Sequence, residues 1–151
     1  MRVSDLMSRN VVTIGTWDSC QEAVARMHRA GIRHLPVVDE TDRLAGVVTD
    51  RDLRHRLFSP EVFRAIGTVP VDALLRTVPI TQIMSTPAVT VEPDDDLEAA
   101  ARLMLEDKVG SLPVVKDGRV VGILTETDLL RRIVRADACA PEVETIIVSF
   151  P

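Results

Sequence analysis

Two Thr-x-x-Asp sequences, Thr49 with Asp52 and Thr125 with Asp128, carry the side chains best suited to chemistry in this 151-residue chain. Each follows an apolar run and precedes a helical pattern, so threonine and aspartate form a capping-box pattern that satisfies free backbone N–H groups. A helix N-terminus also offers N–H groups and a positive dipole to a phosphate. The carboxylate can in addition accept two hydrogen bonds from the vicinal hydroxyls of a ribose. Capping and ligand binding are therefore compatible predictions.

These sequences are parts of an internal repeat. Three stretches of the first half match three of the second half in the same order: 3–14 with 80–91, 31–38 with 108–115, and 46–53 with 122–129. The last pair is one residue out of the earlier register, which indicates a single insertion in the turn around Thr41. One Thr-x-x-Asp would favour capping alone, but two matched copies, each after a glycine-bearing strand, favour a paired binding motif.

Each copy predicts the same β-α-β-β-α succession. A short extended segment leads into an amphipathic helix, two strands joined by a polar turn, and a final helix that begins just after the threonine. The predicted extended segments, helices and strands are 11–14, 19–29, 35–38 and 44–49 in the first copy, and 89–91, 95–106, 112–115 and 120–125 in the second. Neither copy can bury its sheet alone. We therefore expect an α/β (α+β) fold in which two pseudo-symmetric repeats pack sheet to sheet, with helices outside.

The repeats occupy residues 3–57 and 80–134, and the remaining segments are expected to be structured as well. In the linker, 58–79, the sequence Ser59-Pro60-Glu61 is typical of a helix start and Gly67 of a helix end, while residues 71–76 predict a second short helix. The C-terminal arm, 135–151, contains an apolar stretch at 143–150. We expect that stretch to find a partner surface within the chain or across a dimer.

The order of these motifs, found twice, resembles a tandem pair of CBS domains, also called a Bateman module. The motifs that carry the resemblance are the openings Asp5-Leu6-Met7 and Gln82-Ile83-Met84, the two Leu-Pro-Val-Val strands and the two Gly-x-x-Thr-x-x-Asp endings. It implies a two-fold pseudo-symmetric pairing of β-α-β-β-α units. It also implies clefts that bind an adenosine-containing ligand such as AMP, ADP, ATP or S-adenosylmethionine.

The same resemblance implies which residues face each other. Each cleft combines the Thr-x-x-Asp of one copy with the residues around the Leu-Pro pair of the other. One cleft then holds Thr49, Asp52, Val109, Gly110, Ser111 and Pro113, and the second holds Thr125, Asp128, Ile32, Arg33, His34 and Pro36.

The two clefts are expected to differ in charge. The family often has a basic, phosphate-contacting residue where this chain has Arg33 in one cleft and Gly110 in the other. A well-shielded, charge-assisted hydrogen bond contributes about 1.5–3 kcal/mol. We therefore expect the cleft with Asp128 and Arg33 to bind nucleotide phosphates more tightly. Glu126, beside Thr125, and Arg51, on the other side, reduce this expected difference.

The resulting prediction is a regulatory ligand-binding module that is not an enzyme, with no catalytic residues and no catalytic cofactor. We expect it to form a homodimer and to act on a regulated protein that the sequence does not identify. No Gly-x-Ser-x-Gly elbow, Walker-type loop or dinucleotide-binding Gly-rich loop occurs in the sequence. The alternative is a scaffold whose clefts are filled by side chains and whose dimerisation does not depend on ligand.

Composition argues against several other classes. The net charge of −5 is concentrated in residues 77–151, which carry −6 against +1 for residues 1–76, and aromatic residues are scarce. Without a basic stripe or stacking side chains, nucleic-acid binding is not expected. The longest apolar runs fall far short of the roughly 20 residues of a membrane span, so no membrane segment is expected. The first residues lack a signal-peptide pattern, which predicts a cytoplasmic protein.

Metal binding and disulfide formation are not expected either. The spacing of His28, His34 and His55 does not place two ligands on one helical face. His34 is interpreted as lining a cleft, with a packed or solvated histidine as the alternative. Cys20 and Cys139 are interpreted as small core or surface residues, with a disulfide or zinc site as the weaker interpretation. The aspartates at 94–96 are interpreted as a solvated helix cap.

Overall fold

The computed structural model describes residues 1–60, 64 and 70–136. A short 3-10 turn, Val3–Asp5, precedes the first strand. The helices and strands that lie wholly within these residues are, in chain order, β1 (Ile14–Gly15), α1 (Cys20–Ala30), β2 (His34–Val38), β3 (Leu44–Thr49), α2 (Asp50–Leu57), α3 (Val71–Thr77), α4 (Ile80–Ile83), α5 (Leu97–Asp107), β4 (Ser111–Lys116), β5 (Arg119–Thr125) and α6 (Glu126–Ala136). The predicted mixed architecture of two similar repeats is confirmed.

The first strand of each repeat is shorter than predicted. In repeat 1, β1 has two residues and runs parallel to β2, which pairs antiparallel with β3. In repeat 2, β4 pairs antiparallel with β5, and the counterpart of β1 is one parallel bridge from Val91 to Val114. In repeat 1, a side chain holds the residue just before β1, since Arg26 Nη1 donates to the carbonyl of Thr13 at 2.6 Å.

The helices that follow the extended segments begin at polar caps. Ser19 Oγ accepts from the N–H of Glu22, so the predicted start at residue 19 is the cap and α1 begins one residue later. Asp96 Oδ1 accepts from the N–H groups of Glu98 and Ala99, which starts α5 at Leu97. The aspartates before α5 therefore include a helix cap, as the sequence indicated.

The opening segment of each repeat packs on the other repeat. Ser8 and Ile123 exchange backbone hydrogen bonds of 2.9 and 3.0 Å, and Ser85 and Val47 exchange bonds of 2.8 and 3.1 Å. The apolar side chains of each opening segment likewise pack in the core of the other repeat. Val3 and Met7 lie in the core of repeat 2, whereas Ile80 and Ile83 lie in the core of repeat 1. Each core is thus completed by residues that the sequence repeat assigns to the other copy.

The linker contributes to the core of repeat 1. Helix α3 confirms the short helix predicted at 71–76, and its Leu74 is 7% exposed among the buried residues of that core. The predicted helix start at Ser59-Pro60-Glu61 lies only partly within the described residues. The predicted helix end at Gly67 and the apolar stretch at 143–150 lie outside them.

Candidate functional site

Two clefts lie between the repeats, and we name each after its aspartate. The Asp128 cleft has a volume of about 360 Å³ and is lined by Thr125 and Asp128 from repeat 2 and by Ile32, Arg33 and His34 from repeat 1. The Asp52 cleft has a volume of about 580 Å³ and is lined by Thr49, Asp52, Arg33, His34, Val109, Gly110 and Ser111. Both volumes lie within the range of small-molecule sites.

Pro36 and Pro113 are the two predicted site residues that lie in neither lining. Both are fully buried within their strands, where Pro36 is paired with Val47 and Pro113 with Ile123. The residues just before each Leu-Pro pair face the clefts, whereas the prolines themselves are part of the sheet interior.

Thr49 and Asp52 form the predicted capping box. The N–H of Asp52 donates to Thr49 Oγ1 at 3.0 Å, and the N–H of Thr49 donates to Asp52 Oδ2 at 3.0 Å. Asp52 Oδ1 has no hydrogen-bond partner among the described residues. One carboxylate oxygen therefore caps α2 while the other remains available as an acceptor in the cleft.

The second capping box contains one more hydrogen bond than the first. Asp128 Oδ2 accepts from the N–H of Thr125 at 2.9 Å and from its hydroxyl at 2.7 Å. The hydroxyl oxygen in turn accepts from the N–H of Asp128 at 3.3 Å. Asp128 Oδ1 lies 4.0 Å from Arg131 Nη1, beyond hydrogen-bond distance. Because the Thr125 proton already points to Asp128, this hydroxyl can offer a phosphate no donor unless it rotates.

The helix starts offer fewer free donors than an isolated helix would. The N–H of Asp50 donates to the carbonyl of Arg33 and that of Glu126 donates to the carbonyl of Gly110, both at 3.1 Å. The third N–H of each helix belongs to the capping box. Within the described chain, this leaves the N–H groups of Arg51 and Thr127 unpaired at the two helix starts.

His34 stands between the two clefts and lines both. Its Nδ1 is buried and has no hydrogen-bond partner among the described residues. Burial is the main cause that lowers the pKa of His34 below its ordinary value, and the neighbouring Arg33 lowers it further. The carboxylates of Asp50, Glu126 and Asp52 oppose that shift without reversing it. The imidazole is therefore neutral at neutral pH.

The distribution of cations differs from the sequence-based expectation. Arg33 lines both clefts, so it does not distinguish them in the way that the comparison with Gly110 suggested. The remaining basic side chains are Arg131 in the Asp128 cleft and Arg51, Arg54 and Lys108 in the Asp52 cleft. Arg33 alone therefore does not distinguish the two clefts, and which of them binds phosphate more tightly stays a prediction.

Sequence analysis missed Lys108 and Arg131 as cleft residues. Lys108 is the residue at the end of α5, where the backbone is left-handed, and it matches Gly31 in the first copy. Arg131 lies one helical turn after Asp128, which is the signal that could have revealed it. Each cleft also has an apolar wall, formed by Val11, Val12 and Ile123 on one side of the molecule and by Val47, Ala88 and Val89 on the other.

In the part of the chain that the structure describes, no group of three or more His, Cys, Asp or Glu side chains is placed to hold a metal ion. Cys20 is fully buried in the core of repeat 1, and burial raises the pKa of its thiol to about 11. Cys139 lies outside the described residues.

Comparison with known proteins decides the family. A family model of the CBS domain matches residues 3–59 and 80–135, which is most of the chain. The chain belongs to the CBS domain family. A CBS domain-containing protein of Dictyostelium discoideum is 36% identical over 134 residues, which are 88% of this chain and 91% of that protein. This chain spans only 32% of an uncharacterised protein of Methanocaldococcus jannaschii that is 35% identical over 133 residues.

Solved CBS domain pairs share the fold. The CBS domain pair of protein MJ0100, in complex with 5-methylthioadenosine and S-adenosyl-L-methionine, matches with a TM-score of 0.77 at 27% identity, covering 91% of this chain and 98% of that one. CBSX2 in complex with AMP matches with a TM-score of 0.72 at 30% identity, covering 89% of this chain and 97% of that one. Among the described residues of this CBS pair, no helix is long and apolar enough to cross a membrane.

Proposed function

We propose that this CBS pair is a regulatory module that binds an adenosine-containing ligand (AMP, ADP, ATP or S-adenosylmethionine) in the clefts between its repeats. One observation carries the proposal. Each cleft joins a capping aspartate of one repeat to the residues that precede a strand of the other, and in each pair the cap uses one carboxylate oxygen and leaves the other as an acceptor. A ribose diol needs such an acceptor, and the apolar walls suit an adenine ring.

The proposed mechanism is a change in how the repeats are held together. A ligand that contacts both repeats stabilises the arrangement in which both walls of its cleft are in place. Its effect on a partner protein equals its difference in affinity between two such arrangements. The site residues hold and orient a ligand, and we assign none of them a catalytic role. The free, buried thiol of Cys20 fits a reducing compartment, which supports action in the cytoplasm.

A ligand panel tests the proposal directly. We expect adenosine, AMP, ATP or S-adenosylmethionine to raise the melting temperature, because a ligand at 100 times its Kd stabilises the folded state by about 2.7 kcal/mol. Isothermal titration calorimetry on the full chain measures the Kd. GTP and CTP serve as controls with the same phosphates and different bases. No binding by any adenosine compound at millimolar concentration would refute the proposal.

A second candidate, ligand-independent dimerisation, is favoured by one surface. In α6 the side chains of Leu130, Ile133 and Val134 are 61%, 58% and 73% exposed. The counterpart of Ile133 in repeat 1, Leu57, is 1% exposed because the core around α3 covers it. We propose that a second copy of the chain covers this face.

The mass of the particle in solution separates the two candidates. If the module is only a scaffold, light scattering is expected to show a dimer for the wild type and a monomer for Ile133→Glu. Adenosine ligands are then expected to leave the mass of both proteins unchanged. Val71→Glu, a change of an exposed apolar residue on α3 of the linker, is the control. A monomeric wild-type chain would exclude the scaffold alternative.

A further inference from the structure

The two clefts share a wall. Four residues line both of them: Arg33, His34, Gly110 and Glu126. The wall is thin at Gly110, where a Cβ atom would lie 3.1 Å from His34 Cε1 and 3.4 Å from Glu126 Oε2. Ligands in the two clefts would therefore be separated by little more than one imidazole and one carboxylate.

Arg33 is the one cation of this wall, and it has no ion-pair partner among the described residues. Its backbone is held in place, since its carbonyl accepts from the N–H of Asp50 at 3.1 Å. The exposed guanidinium is at the end of a flexible side chain, so it can turn toward either cleft but can engage only one phosphate group fully at a time.

The other charges make the clefts unequal. In the Asp52 cleft, Arg54 is paired with Asp50 at 2.9 Å, but Lys108 and Arg51 have no ion-pair partner in the described chain. In the Asp128 cleft, Arg131 is the remaining cation, and it faces the carboxylate of Asp128. Without Arg33, the three remaining cations of the Asp52 cleft balance the carboxylates of Asp50, Asp52 and Glu126, whereas the Asp128 cleft has one cation against two carboxylates.

We propose that the two clefts compete for Arg33, so that phosphate-bearing ligands bind with negative cooperativity, first in the Asp52 cleft and only weakly in the Asp128 cleft. The inference rests on the proposed function and adds the ligand class of each cleft. When Arg33 engages a phosphate in the Asp52 cleft, the other cleft keeps Arg131, which faces Asp128, and the carboxylate of Glu126 on the shared wall. That cleft then suits an adenosine compound without phosphate.

Stepwise binding constants test this inference on the full chain. Adenosine, which is uncharged, is expected to fill two sites whose intrinsic constants differ by less than about threefold. AMP is expected to bind the second site on the order of tenfold or more weakly than the first, since the second phosphate lacks one charge-assisted hydrogen bond. Native mass spectrometry counts the bound molecules, and calorimetry gives the constants.

Variants test whether Arg33 causes the difference between the two AMP constants. Arg33→Gln removes the charge and keeps an unbranched polar side chain. The affinity for the first AMP is therefore expected to fall, and the ratio between the two AMP constants is expected to fall toward that of adenosine. Arg119→Gln, an exposed residue of β5 outside both clefts, is the matched control and leaves both constants unchanged. Asp52→Asn is expected to weaken the tighter AMP site on the order of tenfold, and Asp128→Asn the weaker one.

The outcomes are distinguishable. Two equal AMP constants, or a ratio that Arg33→Gln leaves unchanged, would overturn the competition for Arg33 while the proposed function stands. A tighter AMP site that weakens in Asp128→Asn would overturn the order of the clefts. If no adenosine compound binds at all, the proposed function fails, and this inference fails with it.

Discussion

At the scale of single residues, the two carboxylate oxygens of the aspartate in each Thr-x-x-Asp motif have different roles. In Asp52 and Asp128 the Oδ2 atom accepts from the threonine N–H and so fixes the start of a helix. The Oδ1 atom has no hydrogen bond in the described chain and is the one available to a ligand. Substitutions can therefore separate the structural role from the binding role.

Asparagine at these positions is expected to reduce binding more than stability. In Asp52→Asn and Asp128→Asn the amide oxygen can still accept the cap hydrogen bond, but the NH₂ group replaces the free acceptor. We expect adenosine to lose on the order of tenfold in affinity at the altered cleft, with the melting temperature nearly unchanged. Alanine instead also loses the hydrogen bond from the threonine N–H, at a cost of about 1 kcal/mol of unfolding free energy.

Calorimetry with adenosine and thermal unfolding without ligand measure the two effects. Asp95→Asn is the control, because Asp95 accepts from a backbone N–H in a turn outside both clefts. Unchanged adenosine affinity in both Asp52→Asn and Asp128→Asn would contradict the assignment of Oδ1 as the ligand acceptor.

His34 is expected to make stability depend on pH. Burial lowers the pKa of His34 in the folded state below its ordinary value of 6.5, so the unfolded chain binds more protons between those two values. Stability is therefore complete above about pH 6.5 and falls as the pH drops toward the folded-state pKa. Denaturant unfolding at pH 7.5 and at about pH 5.5 should show the loss in the wild type and a smaller loss in His34→Gln. His28→Gln, at an exposed histidine, should behave as the wild type does.

At the scale of elements, the glycine of each Gly-x-x-Thr-x-x-Asp motif has a packing role. A Cβ at Gly46 would lie 2.7 Å from the carbonyl oxygen of Ser85, and one at Gly122 would lie 2.5 Å from Met7 Sδ. Both neighbours belong to the opening segment of the other repeat. These glycines let that segment approach the last strand, and they stay out of the lining of either cleft.

Alanine at these glycines is expected to destabilise the fold, and to different extents. The obstacle at Gly46 is a backbone atom in a pair of hydrogen bonds, whereas the closest obstacle at Gly122 is a flexible side chain. We expect Gly46→Ala to cost about 2–3 kcal/mol and Gly122→Ala about 1–2 kcal/mol of unfolding free energy. Urea unfolding measures both. Equal, small losses would show that the opening segments are not held as tightly as the structure indicates.

Most helices and strands could be predicted from the sequence, but the contacts between the two repeats could not. Threonine caps, hydrophobic periodicity and turn residues act locally, so α2 and α6 were predicted to begin after Thr49 and Thr125, as they do. The shared wall and the second role of Arg33 depend on the distance between the two repeats. No spacing within one repeat encodes that distance, which is why the sequence assigned Arg33 to one cleft, whereas it lines both.

At the scale of the whole molecule, the crossed opening segments make the two halves interdependent. Fragments 1–79 and 80–151 each lack apolar residues that complete their own core, since Ile80 and Val3 are fully buried in the opposite repeat. We expect each fragment alone to unfold without a cooperative transition, and an equimolar mixture to recover one. Circular dichroism during heating measures this. A fragment that melts alone at the temperature of the full chain would contradict the prediction.

The exchange of opening segments also bears on how such a chain could arise and mature. A chain with a single copy of this unit could complete its core only by swapping its first residues with a second molecule. The present chain therefore corresponds to a swapped dimer whose two subunits have been fused into one polypeptide. During synthesis, the first half would have to wait for residues 80–85 to leave the ribosome before its own core could close.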